Sequence, residues 1–270
     1  MSELPAPLDG LPEVSRRDVP PGGLRDELLD VIATAVAAHP RSRQRELGPS
    51  EIGHPCQRWL GYRLLDVEPV NTNQETSWRP TVGVAVHEWL QGTFAVANHG
   101  QAVARWLTEC QVSPAELDGV PIVGRSDLYD RETATVIDWK IVGPTTLRNV
   151  RAHGPAPQYQ VQAHLYGRGW TRRLVPVERV AIFYLPSNGE LRDHFYWETA
   201  YDEQVALDAM ARLEQTSALT KQFGRRALAV LPTADHYCTR CPFFLPAVTD
   251  PTEACPGHKP SEAEVTQPTL

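Results

Sequence analysis

Cysteine and methionine are scarce, at 5 and 2 of 270 residues. That is too few cysteines for a disulfide scaffold, and a reducing compartment would oppose disulfides in any case. No stretch approaches the ~18 to 20 uninterrupted apolar residues that span a bilayer. The segment Met1 to Pro21 is polar, carries five prolines and has no apolar signal core, so the expectation is a cytoplasmic protein without a membrane partner. Basic residues are also in deficit, 26 against 33 acidic, for a formal charge of −7. Sequence-independent wrapping of nucleic acid is thereby disfavoured, while a local basic groove is not, because net charge does not say where charges sit. There is no Gly-x-x-x-x-Gly-Lys-Ser/Thr phosphate loop, so the chain has no motor of that kind.

Proline is abundant, at 24 residues, with clusters before residue 22 and after residue 231. The expected body lies between. Leu24, Leu28, Ile32 and Val36 recur at the spacing of one helical face. Further helices are expected over 56–65, starting at Cys56, and over 82–97, with His87 in the middle. Period-two patterning then predicts strands over 104–112, 120–130 and 134–140, the last two joined by a polar turn at Arg131 to Thr133. A loop is expected after Gly143-Pro144, then a helix over 157–170. A hairpin over 177–198 follows, turning at Ser187-Asn188-Gly189. The last helix is expected to open at Thr199, as a capping box with Asp202, and to run to about Phe223. The order α, β, β, β, α, β, β, α implies an α/β (α+β) fold, a mixed central sheet flanked by helices.

The third strand carries the chemistry. In Ile137-Asp138-Trp139-Lys140, alternation puts Asp138 and Lys140 on one face and Ile137 and Trp139 on the other. A carboxylate beside an ammonium is an awkward way to build a core, because buried charges cost several kcal/mol each unless paired. Asp127, in Gly124-Arg125-Ser126-Asp127, is near enough across the hairpin to meet them. Two carboxylates and a lysine make a hard oxygen site for Mg²⁺ or Mn²⁺, with an amine to orient or deprotonate a water. The bland alternative is a surface ion pair between Asp138 and Lys140.

Five segments in this order resemble the PD-(D/E)xK nuclease superfamily, in particular its RecB-like branch with the CRISPR-associated exonuclease called Cas four. They are Ser50-Glu51-Ile52-Gly53-His54-Pro55-Cys56, Gly83-Val84-Ala85-Val86-His87-Glu88, Gly124-Arg125-Ser126-Asp127, Ile137-Asp138-Trp139-Lys140 and Gln162-Ala163-His164-Leu165-Tyr166. The resemblance implies a restriction-endonuclease-like core and a metal-dependent DNA exonuclease acting on single-stranded ends. It implies that Asp127, Asp138, the Trp139 carbonyl and His87 bind the divalent metal and that Lys140 holds the attacking water. Gln162 and Tyr166 would orient Lys140 or contact the strand. Glu109 is a further carboxylate that could serve beside the metal or at a second one. Several arginines, among them Arg125, Arg148, Arg151, Arg172, Arg173, Arg225 and Arg226, are available for phosphate contact.

Cys238-Thr-Arg-Cys241 and Cys255 require a fourth ligand if they bind metal. Cys56 would complete four thiolates, the set of a [4Fe-4S] cluster, and the resemblance favours this. His258 would instead complete a Zn²⁺ ribbon. Cys110 reads as a small buried apolar residue. The expected organisation is therefore a flexible proline-rich stretch (1–23), a helical segment with Cys56 (24–79), a nuclease core (80–223), a cysteine-rich metal-binding tail (224–258) and a disordered end (259–270). The expected function is DNA end processing in recombination, repair or phage replication, with a separate helicase or recombination protein as a partner. The competing reading is a non-catalytic nucleic-acid-binding or adaptor module whose zinc tail is the working part.

Overall fold

The structure, a computed structural model, describes residues 23–38, 47–71 and 78–258. The expected flexible and disordered ends, apart from Gly23, lie outside the described residues. Two compact units divide the chain, Met1–Arg43 and Gln44–Leu270. The first holds helix α1 (Gly23–Ala38), the periodicity expected from Leu24 onward. No helix among the described residues is long and apolar enough to cross a membrane.

The second unit runs α2 (Pro49–Ile52), α3 (Gln57–Leu64), α4 (Arg79–Ala97), β1 (Trp106–Leu117), β2 (Val120–Asp130), β3 (Thr135–Val142), α5 (Pro144–His153), α6 (Pro157–Thr171), β4 (Arg179–Pro186), β5 (Phe195–Ala200) and α7 (Glu203–Phe223). The five strands form one sheet in sequence order, antiparallel except for the parallel pair β3 and β4. A parallel pair needs a crossover, and α5 with α6 supplies it. The fold is the expected α/β class, a mixed sheet flanked by helices.

The alternation along β3 sorts the two faces. Val136 joins Tyr129, Trp170, Val180, Ile182 and Tyr184 in a core that includes Ala163 and Tyr166 of α6 and Leu147 and Val150 of α5. Ile137 and Trp139 point the other way and pack with Leu128, Ala181 and Leu90 of α4. Asp138 and Lys140 therefore lie on the α6 face, as the period-two reading requires.

Three expectations need correction. The segment after Gly143 is a helix rather than a loop: Pro144 occupies the first turn, where its missing N–H costs nothing, and Leu147 and Val150 bury one face. Thr199 opens no helix; it lies on β5 and pairs with Val180 of β4, and Asp202 is the cap of α7, its carboxylate accepting from the Gln204 N–H at 2.9 Å. The second hairpin strand begins only at Phe195, after a 3-10 turn at Leu191–Asp193. Smaller shifts are that Cys56 is the N-cap of α3 rather than its first residue, and that β1 extends to Leu117.

Candidate metal-dependent active site

The β2–β3 ladder is short. Its pairs are Leu128 with Ile137, Tyr129 with Val136 and Asp130 with Thr135, and beyond Leu128 the strands part. The Trp139 N–H faces the gap and is satisfied by Asp127, whose Oδ2 accepts from it at 2.8 Å. A buried N–H left without a partner costs about 1 to 3 kcal/mol, so the opening selects a carboxylate at 127.

On the far side of Asp127 stands His87 of α4, with Nδ1 at 3.5 Å from Asp127 Oδ1 and 3.7 Å from Glu109 Oε1. Ligand atoms of His87, Glu109 and Asp127 all lie within 4.8 Å of one another. Glu109 occupies β1 at φ +50°, in the left-handed region. Such a conformation costs a residue with a Cβ roughly 1–3 kcal/mol and persists where surrounding structure imposes it. Burial alone would lower the pKa of His87, but hydrogen bonds to Asp127 and Glu109 and the charges of Asp127 and Asp138 lift it to about 9. These carboxylates thus favour the protonated imidazole.

Asp138 is buried to 1% exposure beneath α6. Its Oδ1 accepts from Gln162 Nε2 at 2.9 Å, and its Oδ2 lies 2.5 Å from Lys140 Nζ. Lys140 Nζ also donates to Gln162 Oε1 at 3.1 Å. The Gln162 amide thus bridges the pair, acceptor toward the ammonium and donor toward the carboxylate. Burial pushes the Asp138 carboxyl upward and the Lys140 ammonium draws it back; the net direction is up.

Of the predicted residues, His87, Asp127, Asp138, Lys140 and Gln162 converge here. Trp139 contributes its N–H, while its ring belongs to the α4-side core. Tyr166 is packed in the core on the α6 side, beside Gly124. The ring under Lys140 is instead Tyr159, 4.9 Å from Nζ. Sequence reasoning missed Tyr159, although it sits three residues before Gln162 on the same helical face.

Cys56, Cys238, Cys241 and Cys255 lie within electrostatic reach of one another. The tail docks on α3 and the segment after it: Tyr62 donates to Pro251 O at 2.5 Å and stacks on Phe243, and the Asn71 side chain donates to Thr239 O and Cys241 O. Cys56 and Cys255 are buried, and all four thiols are free. Burial first, then the neighbouring Cys255, Cys56 and Cys238, pushes the Cys241 thiol up to about 12. No three of these sulfurs meet within 4.8 Å, whereas Zn–S bonds of about 2.3 Å put the sulfurs on one tetrahedral zinc about 3.8 Å apart. His258 Nδ1 is hydrogen-bonded to Thr233 Oγ1 at 3.0 Å.

No family model matches the chain, and no curated protein matches it. Solved structures do. The chain is similar to an alkaline exonuclease (LHK-Exo) from Laribacter hongkongensis, at 12% identity over 70% of this chain and 97% of that one, with a TM-score of 0.44. A structure of LHK-Exo in complex with dAMP gives 13% identity, 70% and 96% coverage and a TM-score of 0.43.

Proposed function

We propose that this chain is a divalent-metal-dependent deoxyribonuclease, an exonuclease that hydrolyses phosphodiester bonds from single-stranded DNA ends in recombination, repair or phage DNA processing. The observation that carries the reading is the buried Asp138–Gln162–Lys140 bridge beside the His87–Glu109–Asp127 cluster. A scaffold or adaptor has no use for a desolvated carboxylate and ammonium next to a further acid pair, since hydrophobic replacements are often as stable or more so.

The donor set fits a hard cation: two carboxylates and one imidazole, close enough to share an ion, suit Mg²⁺ or Mn²⁺. His87, Glu109 and Asp127 would hold it, with Asp138 as the adjoining carboxylate. When bound, such an ion supplies charge neutralisation at the phosphodiester and lowers the pKa of a water. An ammonium has three donors. Lys140 directs one at Gln162 Oε1 and meets Asp138 as an ion pair, which leaves donor capacity for the attacking water. Gln162 fixes that direction from α6, and Tyr159 shields the far side of the ammonium. Asp127 ties the site to the backbone through the Trp139 N–H, so the acids and the amine move together.

For the tail we propose a [4Fe-4S] cluster on Cys56, Cys238, Cys241 and Cys255. Cys56, Cys238, Cys241 and Cys255 act electrostatically on one another and would supply the four thiolates of such a cluster. Arg212, whose charge acts on Cys56, has a buried Nε without a hydrogen-bond partner, a cation suited to a thiolate-rich, anionic centre. A helicase or recombination protein would deliver the single strand.

The test is direct. With Mn²⁺ the purified protein is expected to release nucleotides from end-labelled linear single-stranded DNA and to spare circular single strands. Asp138→Ala and Lys140→Ala are each expected to abolish release; full activity in either variant overturns the proposal.

A further inference from the structure

Resting on the nuclease reading, a second site lies at the carboxyl ends of β3 and β4. The Ser187 N–H donates to Val142 O at 2.8 Å, tying the two strand ends together, and α5 departs from β3 at once. Between α5 and the β4–β5 connection is a cleft of about 280 Å³, whose lining includes Arg148, Arg151, Asn188, Gly189 and Asp193. Ligands of open α/β sheets sit outside the carboxyl ends of parallel strands. The chain passes from Lys140 to Gly143 in three residues, roughly 10 Å at strand rise.

The two arginines are spaced i, i+3 on one helix, where like charges repel. Arg148 Nη2 donates only to Thr145 Oγ1, at 3.3 Å, and Arg151 Nη2 donates to the backbone oxygens of Asp193 and His194. Among the described residues neither is ion-paired, and Glu190, on the β4–β5 connection, is paired with Arg192. The one carboxylate lining the cleft, Asp193, accepts from the N–H of the N-cap residue Glu190 through Oδ2 at 3.1 Å, closing the capping box of its own turn. Two unneutralised guanidinium groups over a concave surface favour a polyanion with adjacent phosphates, since each presents forked donors to phosphate oxygens. We infer that this cleft holds the phosphodiester backbone of a single DNA strand whose scissile bond lies at Lys140, and that Arg148 and Arg151 set its path.

Binding is read without cleavage, as the anisotropy of a labelled single-stranded oligonucleotide in EDTA across a salt series. Each phosphate contact on a single strand contributes about 0.7 to the slope of log affinity against log salt. Arg148→Gln with Arg151→Gln is expected to lower that slope by roughly 1.4 and weaken low-salt binding on the order of tenfold. Arg148→Gln alone, which leaves the turn held by Arg151 intact, is expected to lower the slope by about 0.7. Arg131→Gln with Lys221→Gln, exposed at the β2–β3 turn and on α7, should leave it unchanged. A wild type that does not bind, or an Arg148/Arg151 variant with wild-type affinity and slope, overturns the inference. The two readings fail separately. A protein that binds through the cleft yet never cleaves with Mn²⁺ sinks the nuclease and keeps the cleft; cleavage with an unchanged slope does the reverse.

Discussion

The Lys140 ammonium is the counter-charge in contact with a carboxylate that has almost no access to water. Removing one partner of a buried pair costs about 3–5 kcal/mol, because the other charge is stranded, whereas removing both is often close to neutral. Lys140→Met is therefore expected to lower the melting temperature sharply, and Lys140→Met with Asp138→Asn to recover most of the loss. The sign with pH follows. Without Lys140 the raised pKa of Asp138 rises further, the folded state holds a proton that the unfolded chain releases, and stability falls as pH rises. Lys140→Met should thus lose less stability relative to wild type at pH 5 than at pH 8, by thermal melts. His87 has the opposite origin but the same slope. Its pKa, raised from 6.5 to about 9 by Asp127 and Glu109, gives stability present below pH 6.5 and lost by pH 9. In EDTA the wild type should lose on the order of 3 kcal/mol over that window relative to His87→Gln, at about 1.4 kcal/mol per unit. Asp138 and Lys140 were legible because period two leaves no freedom about their shared face. Glu109 was legible as a carboxylate beside the metal or at a second one, but its left-handed backbone was not, since nothing in its neighbours announces such a residue inside a strand.

At the scale of elements, Gly124 explains itself through packing. A Cβ there would stand 2.6 Å from Pro49 Cγ and 3.1 Å from Tyr166 Cε1, so β2 accepts α2 and α6 only where a side chain is missing. Gly124→Ala is expected to cost about 1–3 kcal/mol by overpacking, seen as a lower denaturant midpoint with unchanged slope, and Pro49→Ala in that background should return part of it. The glycine at the head of the Gly-x-x-Asp segment is thus a condition for docking the helix that precedes Cys56. Elements whose cues were local and periodic, such as β2, β3 and α6, were readable. The helix α5 was not, because Gly143-Pro144 reads equally as a break or as a helix start, and only the burial of Leu147 and Val150 against the sheet decides between them. Thr199 shows the converse: a capping pattern is overridden when the same residues complete a sheet edge, and the cap moves to Asp202.

Across the whole molecule, the cysteines join segments far apart in sequence. Cys56 caps α3, ahead of the core, and Cys238, Cys241 and Cys255 follow it, so a centre built from all four would close a loop around the candidate site residues. That connection was legible only as a count of ligands with two possible completions, Cys56 and His258. Closing so long a loop removes entropy from the unfolded chain, and binding to the folded state alone adds its own free energy. The tail also has direct contacts with α3 through Tyr62 and Phe243, and these do not depend on metal. The two contributions separate by mutation. Protein purified without oxygen is expected to carry about four irons with sulfide per chain. Cys56→Ser and Cys255→Ser should each lose the iron and expose the tail to protease, while His258→Ala keeps both iron and protection. Zinc without iron, or iron retained in Cys56→Ser, would break the link from α3 to the tail. Because Cys56 lies just after α2, which packs on Gly124 three residues before Asp127, loss of the centre should also weaken Mn²⁺ binding at His87, Glu109 and Asp127. Titration of Mn²⁺ into Cys56→Ser, set beside the wild type, measures that coupling.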